Sequence, residues 1–378
     1  MKNRITISLL LCLTVLSGCW GRTELKEIGI VSGMGIDKGK ETNFEFTTQS
    51  IYPTAAMKDV KPTSIIVKTS KGDTIFEAIR DLIISTKRRQ NLQHIHSLVI
   101  GKEIAEEGVI PVIDLFIRDH EPRLSMDLFL AEDKAKDILE IQNKHLPIPS
   151  LIMKEAVEEH ESLAKAPQMK LHNFYQRLVE PYSDPYLPIV HKKNDDFEVY
   201  GTGIFKEDKL VGELNSIETR GMLRVLGEVK SGIQVVQLAT TNEKPVNISI
   251  EIKGSKSSLK TYMKNGKPTM QINIQESGFI GDMSQKIVLN EKTIKEINKL
   301  YEEAIEKEVK QSVSKIQKEF NANIFDFAGT IRRSENKYWK EHKDQWEEIY
   351  PTLTVKVNVK TEIKATGLEE DMSLEGTG

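Results

Sequence analysis

The side chains with the clearest chemical use are two cysteine thiols, and both lie within the first twenty residues. Cys12 falls in an aliphatic stretch, whereas Cys19 directly follows the small residues Ser17 and Gly18. The rest of the chain contains no cysteine, which excludes a disulfide, a zinc–thiolate cluster and a cysteine nucleophile there. The folded part must therefore be stabilised by a hydrophobic core.

The residues around Cys19 predict that its thiol carries lipid. Residues 1–4 include the basic residues Lys2 and Arg4, and residues 5–15 are uncharged and mostly aliphatic, as in a signal peptide. The run Leu16-Ser17-Gly18-Cys19 resembles the bacterial lipobox, which implies diacylglycerol on the sulfur of Cys19 and cleavage by signal peptidase II between Gly18 and Cys19. An ordinary signal peptide with an incidental cysteine, or a buried N-terminal strand, is the alternative.

Lipid is the membrane anchor that this sequence predicts. Residues 5–15 are too few to cross a bilayer, which needs ~20 apolar residues, and no other segment approaches that length. The two chains of diacylglycerol hold a protein stably, whereas one chain holds it only marginally. A further acyl group such as palmitate on the amine of Cys19 would add to this, and the number and type of chains stay open.

Other residues that could support chemistry form incomplete patterns. His94 and His96 could lie on one face of a strand as metal ligands, but no third ligand is evident nearby. The run Gly201-Thr202-Gly203 lacks the third glycine and the helix of a phosphate-binding loop. Signatures of hydrolases, zinc proteases, P-loop proteins and kinases do not occur. We therefore predict no catalytic residue, no metal, no cofactor and no enzyme activity.

Charge and composition exclude two further classes of protein. The chain has 378 residues, with 39% apolar and 29% charged residues, which is ordinary for folded domains and too apolar for disorder. Its formal charge is −3, and losing Lys2 and Arg4 with the signal peptide would make it −5. A mildly acidic protein carries no electrostatic footprint for nucleic acid. The length predicts two or three domains.

The hydrophobic pattern predicts an α+β protein with several domains. After a cleaved signal peptide at 1–18, helices and strands alternate through an N-terminal α/β region at 19–190, with a possible break into two subdomains near 147. A C-terminal α+β domain is expected at 197–366, with short strands over 197–238 and later strands up to 277. The acidic tail at 367–378 is predicted to be disordered.

A long helix is the clearest single element of the second half. Its apolar residues step by three and four from residue 291 to residue 320, which predicts an amphipathic helix packed on a sheet. Another helix is expected at 335–348, where Trp339 and Trp346 would share a face. A closing strand is expected at 352–364. The stripe of the long helix comprises Ile294, Ile297, Tyr301, Ile305, Val309, Val313, Ile316 and Phe320.

Short segments along nearly the whole mature chain resemble the Ger(x)C family, the lipoprotein C subunits of nutrient germinant receptors in spore-forming bacteria. No single segment is specific, but their order and spacing are. The segments are Cys19-Trp20, Glu24-Leu25, Gly35-Ile36-Asp37, Gly72-Asp73-Thr74-Ile75-Phe76-Glu77-Ala78, His96-Ser97-Leu98-Val99-Ile100-Gly101, Phe116-Ile117-Arg118-Asp119, Gly201-Thr202-Gly203-Ile204-Phe205-Lys206, Lys209-Leu210-Val211-Gly212, Glu218-Thr219-Arg220-Gly221, Asp326-Phe327-Ala328-Gly329, Trp339 and Trp346.

The resemblance implies a role in nutrient-triggered spore germination. A protein of this family is expected on the outer face of the spore inner membrane, in a complex with the A and B membrane subunits. The family implies no catalytic residue, and its mixed α/β domains agree with the predicted fold. The main alternative is a solute-binding lipoprotein that captures a small nutrient itself, and an envelope enzyme ranks third because no catalytic cluster is visible.

Overall fold

A computed structural model describes residues 28–53, 63–86, 88–118, 121–141, 143, 148–160, 163–239 and 244–364. Within them the first half of the chain forms one nine-stranded mixed sheet in the order β3-β2-β1-β5-β6-β7-β8-β9, with β4 beside β1. The strands are β1 (Ile28–Lys38), β2 (Phe44–Pro53), β3 (Thr63–Gly72), β4 (Arg89–Asn91), β5 (Ser97–Ile100), β6 (Asp127–Ala131), β7 (Tyr186–Lys193), β8 (Asp196–Lys206) and β9 (Lys209–Leu214).

The centre of this sheet is parallel and its two flanks are antiparallel. Strands β1, β5, β6 and β7 run parallel, whereas hairpins join β1 to β3 and β7 to β9. Parallel neighbours need crossover connections, which helices supply here. These helices are α1 (Ile75–Thr86), α2 (Lys102–Glu107), α3 (Ile110–Arg118), α4 (Ala135–Leu139), α5 (Pro149–His160) and α6 (Leu171–Val179).

Helices cover both faces of the central strands, which explains why those strands are apolar without alternation. In β5, Leu98 and Ile100 belong to one hydrophobic cluster, while Val99 between them belongs to the other. In β6, Phe129 similarly joins Val99 on the second face, where α4 and α5 pack. The core of the first half therefore lies on both sides of one sheet.

The second half is built on a four-stranded sheet in the order β10-β11-β12-β13. Its strands are β10 (Gly232–Leu238), β11 (Val246–Lys264), β12 (Lys267–Met283) and β13 (Thr354–Lys364). The long helix α8 (Glu291–Ser314) buries Ile297, Tyr301, Ile305, Val309 and Val313 against the sheet and against α7 (Ser216–Leu226). The predicted amphipathic helix on a sheet is confirmed.

Short helices follow α8. The last predicted turn is a π-helix, Lys315–Glu319, rather than α-helix. The predicted helix at 335–348 is divided into α10 (Asn336–His342), a 3₁₀ turn (Lys343–Gln345) and α11 (Trp346–Ile349), preceded by α9 (Phe327–Ser334). The rings of Trp339 and Trp346 still meet, with centroids 5.4 Å apart.

One other expectation, about the stretch 197–238, differs from the structure. The stretch 197–238, expected to contain only strands and turns, includes the helix α7, which begins at a capping box of Asn215 and Glu218. The division expected between 190 and 197 falls in the turn between β7 and β8, which pair within the first sheet, and the second sheet begins at Gly232. The division into domains stays a prediction. The signal peptide, the break near 147 and the tail at 367–378 lie outside the described residues.

Candidate functional site: the junction cleft

The predicted modification site lies outside the part of the chain that the structure describes, since Gly18 and Cys19 precede Ile28. His94 and His96 are described, and both line a small cavity of about 180 Å³ beside Ile30 and Ile51. Burial lowers the pKa of His96, with nearby Lys154 lowering it further. Among the described residues, no group of three or more His, Asp or Glu side chains is placed to hold a metal ion.

The run Gly201-Thr202-Gly203 has a packing role within β8. Gly201 has φ of +81°, and a Cβ there would lie 2.8 Å from the carbonyl oxygen of Leu214. The hydroxyls of Thr202 and Thr219 are 2.9 Å apart, which joins the first sheet to α7. These residues therefore fasten a helix to the sheet.

The structure brings other polar residues together where the two halves meet, in a cavity of about 760 Å³ that we call the junction cleft. One wall comes from α6 and the segment before β7, and the other from the chain between the π-helix and α10. Its charged lining residues carry both signs. They are Arg177, Glu180, Glu228, Asp326, Arg332, Arg333 and Lys343.

Arg177 connects the two walls of the junction cleft. Its guanidinium donates to the carbonyl of Asp184 at 3.0 Å and to the carbonyl of Ile324 at 3.2 Å, and it lies 4.8 Å from the ring centroid of Tyr186. Burial raises the pKa of the Tyr186 phenol, and the nearby carboxylate of Glu228 raises it further. This phenol thus stays protonated and can donate to Glu228.

Beside the cleft, the buried carboxylate of Asp184 fixes the second wall to the first. It accepts from the backbone N–H of Asn323 at 2.6 Å and from the backbone N–H of Glu207, also at 2.6 Å. The side-chain oxygen of Asn323 in turn accepts from the indole N–H of Trp346 at 2.7 Å. Tyr182, which also lines the cleft, packs edge-on against Trp339 with centroids 5.0 Å apart. The carboxylate of Asp184 therefore positions Asn323 and, through it, Trp346.

A second polar centre lies inside the second half, under α7 and α8. Arg224 is fully buried and donates to both carboxylate oxygens of Glu276 at 2.9 and 3.0 Å, and to Glu308 at 2.7 Å. The phenol of Tyr301 donates to Glu276 at 2.6 Å, and Arg220 donates to Glu308 at 2.6 and 3.0 Å. We call these five residues the Arg224 cluster. Its arginines hold the pKa of Glu308 below its usual value even though burial opposes this.

Sequence reasoning missed both the junction cleft and the Arg224 cluster. The cluster left a signal, because Arg224 interrupts the apolar run Met222-Leu223-Arg224-Val225-Leu226, and a charge inside such a run is buried only when it is paired. Glu308 is a similar case, since it stands beside Val309 on the buried side of α8. The cleft left no signal, because its walls are far apart in the sequence.

The polar groups described above are engaged in joining elements. The guanidinium of Arg177 donates to carbonyl groups, and the carboxylate of Asp184 accepts from backbone N–H groups, an arrangement that holds two walls in register. No helix in the described ranges is long and apolar enough to cross a membrane. The fold and the cleft define a two-sheet α+β protein whose halves are fastened by buried charge.

Two family models match the chain and together span nearly all of it. The spore germination protein N-terminal domain matches residues 21–192. The "Spore germination B3/GerAC like, C-terminal" model matches residues 200–367. The chain belongs to the Ger(x)C family of spore germination proteins, as its sequence segments predict.

Individual relatives are similar along their whole length. Spore germination protein B3 of Bacillus subtilis (strain 168) is 26% identical, over 93% of this chain and 94% of its own. Spore germination protein KC of the same organism is also 26% identical, over 98% and 97%. Spore germination protein GerQC of Bacillus cereus is 22% identical, over 94% and 96%.

The fold is also found in a solved structure. The crystal structure of the GerBC protein matches with a TM-score of 0.56 and 22% identity, over 88% of this chain and 96% of that one. The mixed α/β architecture with two sheets and a long C-terminal helix is thus the fold of GerBC. None of the matched descriptions names an enzyme.

Proposed function

We propose that this protein is the lipid-anchored C subunit of a nutrient germinant receptor. It would be held by diacylglycerol on Cys19 at the outer face of the spore inner membrane and would act through contacts with the A and B membrane subunits. The observation that carries the proposal is the match of both halves, over almost the whole chain, to spore germination proteins named B3 and KC.

Two features support a role in interaction. The signal-peptide pattern and the lipobox at Leu16-Ser17-Gly18-Cys19 would place the protein at a membrane surface. The junction cleft holds the two halves together through Arg177 and Asp184, so a partner that binds both halves would meet a fixed surface. Preorganised surfaces lose less entropy when they bind.

Germination of deletion spores tests this role. Spores that lack the gene should lose their response to one class of small nutrients, yet still germinate when a non-nutrient trigger acts downstream of the receptor. An enzyme that degrades the spore cortex would give a different pattern, in which the downstream trigger also fails. Normal nutrient germination of spores that lack the gene and its paralogues would contradict the proposal.

The solute-binding alternative is favoured by one observation, the volume of the junction cleft. A cavity of about 760 Å³ lies within the usual range for small-molecule sites, and Arg177, Glu180 and Glu228 could orient a small zwitterion. We expect calorimetry with nutrient amino acids to show no saturable binding to the purified protein. We also expect the A and B subunits to co-purify only when this protein is present, whereas saturable binding lost in Arg177→Ala would favour the alternative.

A further inference from the structure

Helix α1 leaves a row of apolar side chains exposed. Its inner side buries Ile75, Ala78 and Leu82. Phe76 is 51% exposed, Ile83 is 41% exposed and Ile84 is 77% exposed. We call these three side chains the apolar patch, and several large apolar side chains exposed on one surface helix indicate an interaction surface.

The end of this patch lies at one edge of the first sheet. β1, β5 and β6 are parallel, so all three begin at the same edge. α1 and α3 are the return connections between parallel strands, so their C-terminal ends reach that edge. Ile28, at the start of β1, pairs with Arg89, which follows the end of α1 by three residues. The start of β1 therefore lies at this edge as well.

We call this edge of the first sheet the start edge, and it combines apolar with basic side chains. Ile83 and Ile84 lie in the last turn of α1, and Leu124, which is 43% exposed, precedes β6. Arg123, an exposed basic residue at this edge, precedes β6, while Arg118 at the end of α3 pairs with Asp114. Exposed aliphatic and basic side chains together suit the headgroup region of an anionic bilayer.

The short chain between Cys19 and the described residues indicates that a membrane is what covers the start edge. Cys19 precedes Ile28 by nine residues, which span at most about 30 Å when fully extended. A lipid on Cys19 would therefore keep the start edge within about that distance of the membrane. The opposite edge of the sheet, where β1 and β5 end at Lys38 and Ile100, would face away.

We propose that the start edge rests on an anionic lipid bilayer, with Ile83 and Ile84 in the headgroup region and Arg123 near the phosphates. This inference rests on the lipid anchor at Cys19 that is part of the proposed function. It sets the orientation of the protein, because the membrane would cover the edge at which the parallel strands of the first sheet begin and leave the opposite edge, where β1 and β5 end, free for protein partners.

Lipid quenching of a site-specific label tests the orientation. The full-length, lipidated protein would be reconstituted into vesicles of phosphatidylcholine and phosphatidylglycerol, with or without brominated acyl chains. Acylation of Cys19 and loss of Cys12 with the signal peptide would leave a mature chain without a free thiol, so Ile84→Cys can carry one fluorophore. The matched control is Val288→Cys, which replaces an aliphatic residue that is 78% exposed in the second half.

Severalfold stronger quenching at Ile84→Cys than at Val288→Cys is expected. Adding Arg123→Glu to Ile84→Cys should reduce that quenching while the protein still floats with the vesicles. Equal quenching at the two positions in protein that floats would overturn the orientation alone, including the case in which the apolar patch binds a protein partner. Failure of the wild-type protein to float would overturn both the anchor and the orientation.

Discussion

At the scale of single residues, Asp37 shows how a buried carboxylate can organise a turn and at the same time sense pH. Its two oxygens accept from the backbone N–H groups of Ala135 at 2.8 Å and Lys136 at 2.9 Å, which caps α4. A Cβ on residue 101 would lie 2.1 Å from this carboxylate, so glycine is needed there. Burial raises the pKa of Asp37 to about 6, although the two N–H donors oppose the change.

This raised pKa predicts a pH dependence of stability. Between about pH 4 and pH 6 the folded protein binds a proton at Asp37 that the unfolded chain has lost, so the free energy of unfolding falls as pH rises, by about 2 kcal/mol in total from this group. Asp37→Asn should remove that part of the slope in urea denaturation measured at pH 4, 5, 6 and 7. Asp114→Asn, at an exposed carboxylate, should keep the slope. An unchanged slope in Asp37→Asn would contradict this reading.

Cys19 carries the prediction on which the membrane location depends. Cys19→Ala should leave an uncleaved precursor without lipid, because the thiol is the only atom of the lipobox that can accept diacylglycerol. Mass spectrometry of the wild-type protein should find a mature chain that begins at a lipid-modified Cys19. A mature chain that begins elsewhere, or that begins at an unmodified Cys19, would show that the lipobox is incidental.

The Arg224 cluster carries a prediction about stability. Arg224→Met leaves Glu276 and Glu308 buried without their shared partner, which should cost about 3–5 kcal/mol of unfolding free energy. Arg118→Met removes an exposed arginine from an ion pair with Asp114 and should cost less than about 1 kcal/mol. Denaturant unfolding compares the two variants. Equal, small losses would mean that water or local rearrangement replaces the guanidinium.

At the scale of elements, the stripe of α8 predicts a strong effect of a single buried charge. Ile305→Asp should cost several kcal/mol, since an unpaired carboxylate would enter the core between α8 and the second sheet. Lys307→Asp introduces the same residue at an exposed position of the same helix and should have a small effect. Thermal unfolding separates the two cases. An unchanged melting temperature in Ile305→Asp would mean that the stripe is not buried.

Elements with a local signal could be predicted from the sequence. The capping residue Thr74 accepts from the backbone N–H of Glu77 at the start of α1, and Asn265-Gly266 forms the turn between β11 and β12 with positive φ at both residues. The apolar residues around Arg224 are equally typical of a strand as long as the burial of Arg224 is unknown, so this pattern does not predict α7. Its capping pair, Asn215 and Glu218, is a local signal that predicts the helix.

At the scale of the whole molecule, the arrangement of elements depended on contacts that no local pattern contains. Pairing of β7 with β8 extends the first sheet across the predicted division between domains. Strands can pair whatever the length of chain between them, so a local pattern does not predict which strands are neighbours. The junction cleft likewise depends on Arg177 meeting the carbonyl of Ile324, 147 residues away. One hydrophobic cluster then runs from Val31 in the first sheet to Ile363 in the second.

This shared core predicts that the two halves unfold together and that Asp184 is needed for it. Trp339 and Trp346 report on the junction by fluorescence, while far-ultraviolet circular dichroism reports on all helices and strands. In the wild-type protein the two melting curves should coincide. In Asp184→Ala the buried N–H of Asn323 loses its acceptor, which should cost about 1–3 kcal/mol and let the tryptophan signal melt first. The control Asp195→Ala changes an exposed aspartate in the turn after β7 and should melt like the wild type. Coincident curves at the wild-type temperature in Asp184→Ala would mean that the hydrophobic contacts alone couple the two halves.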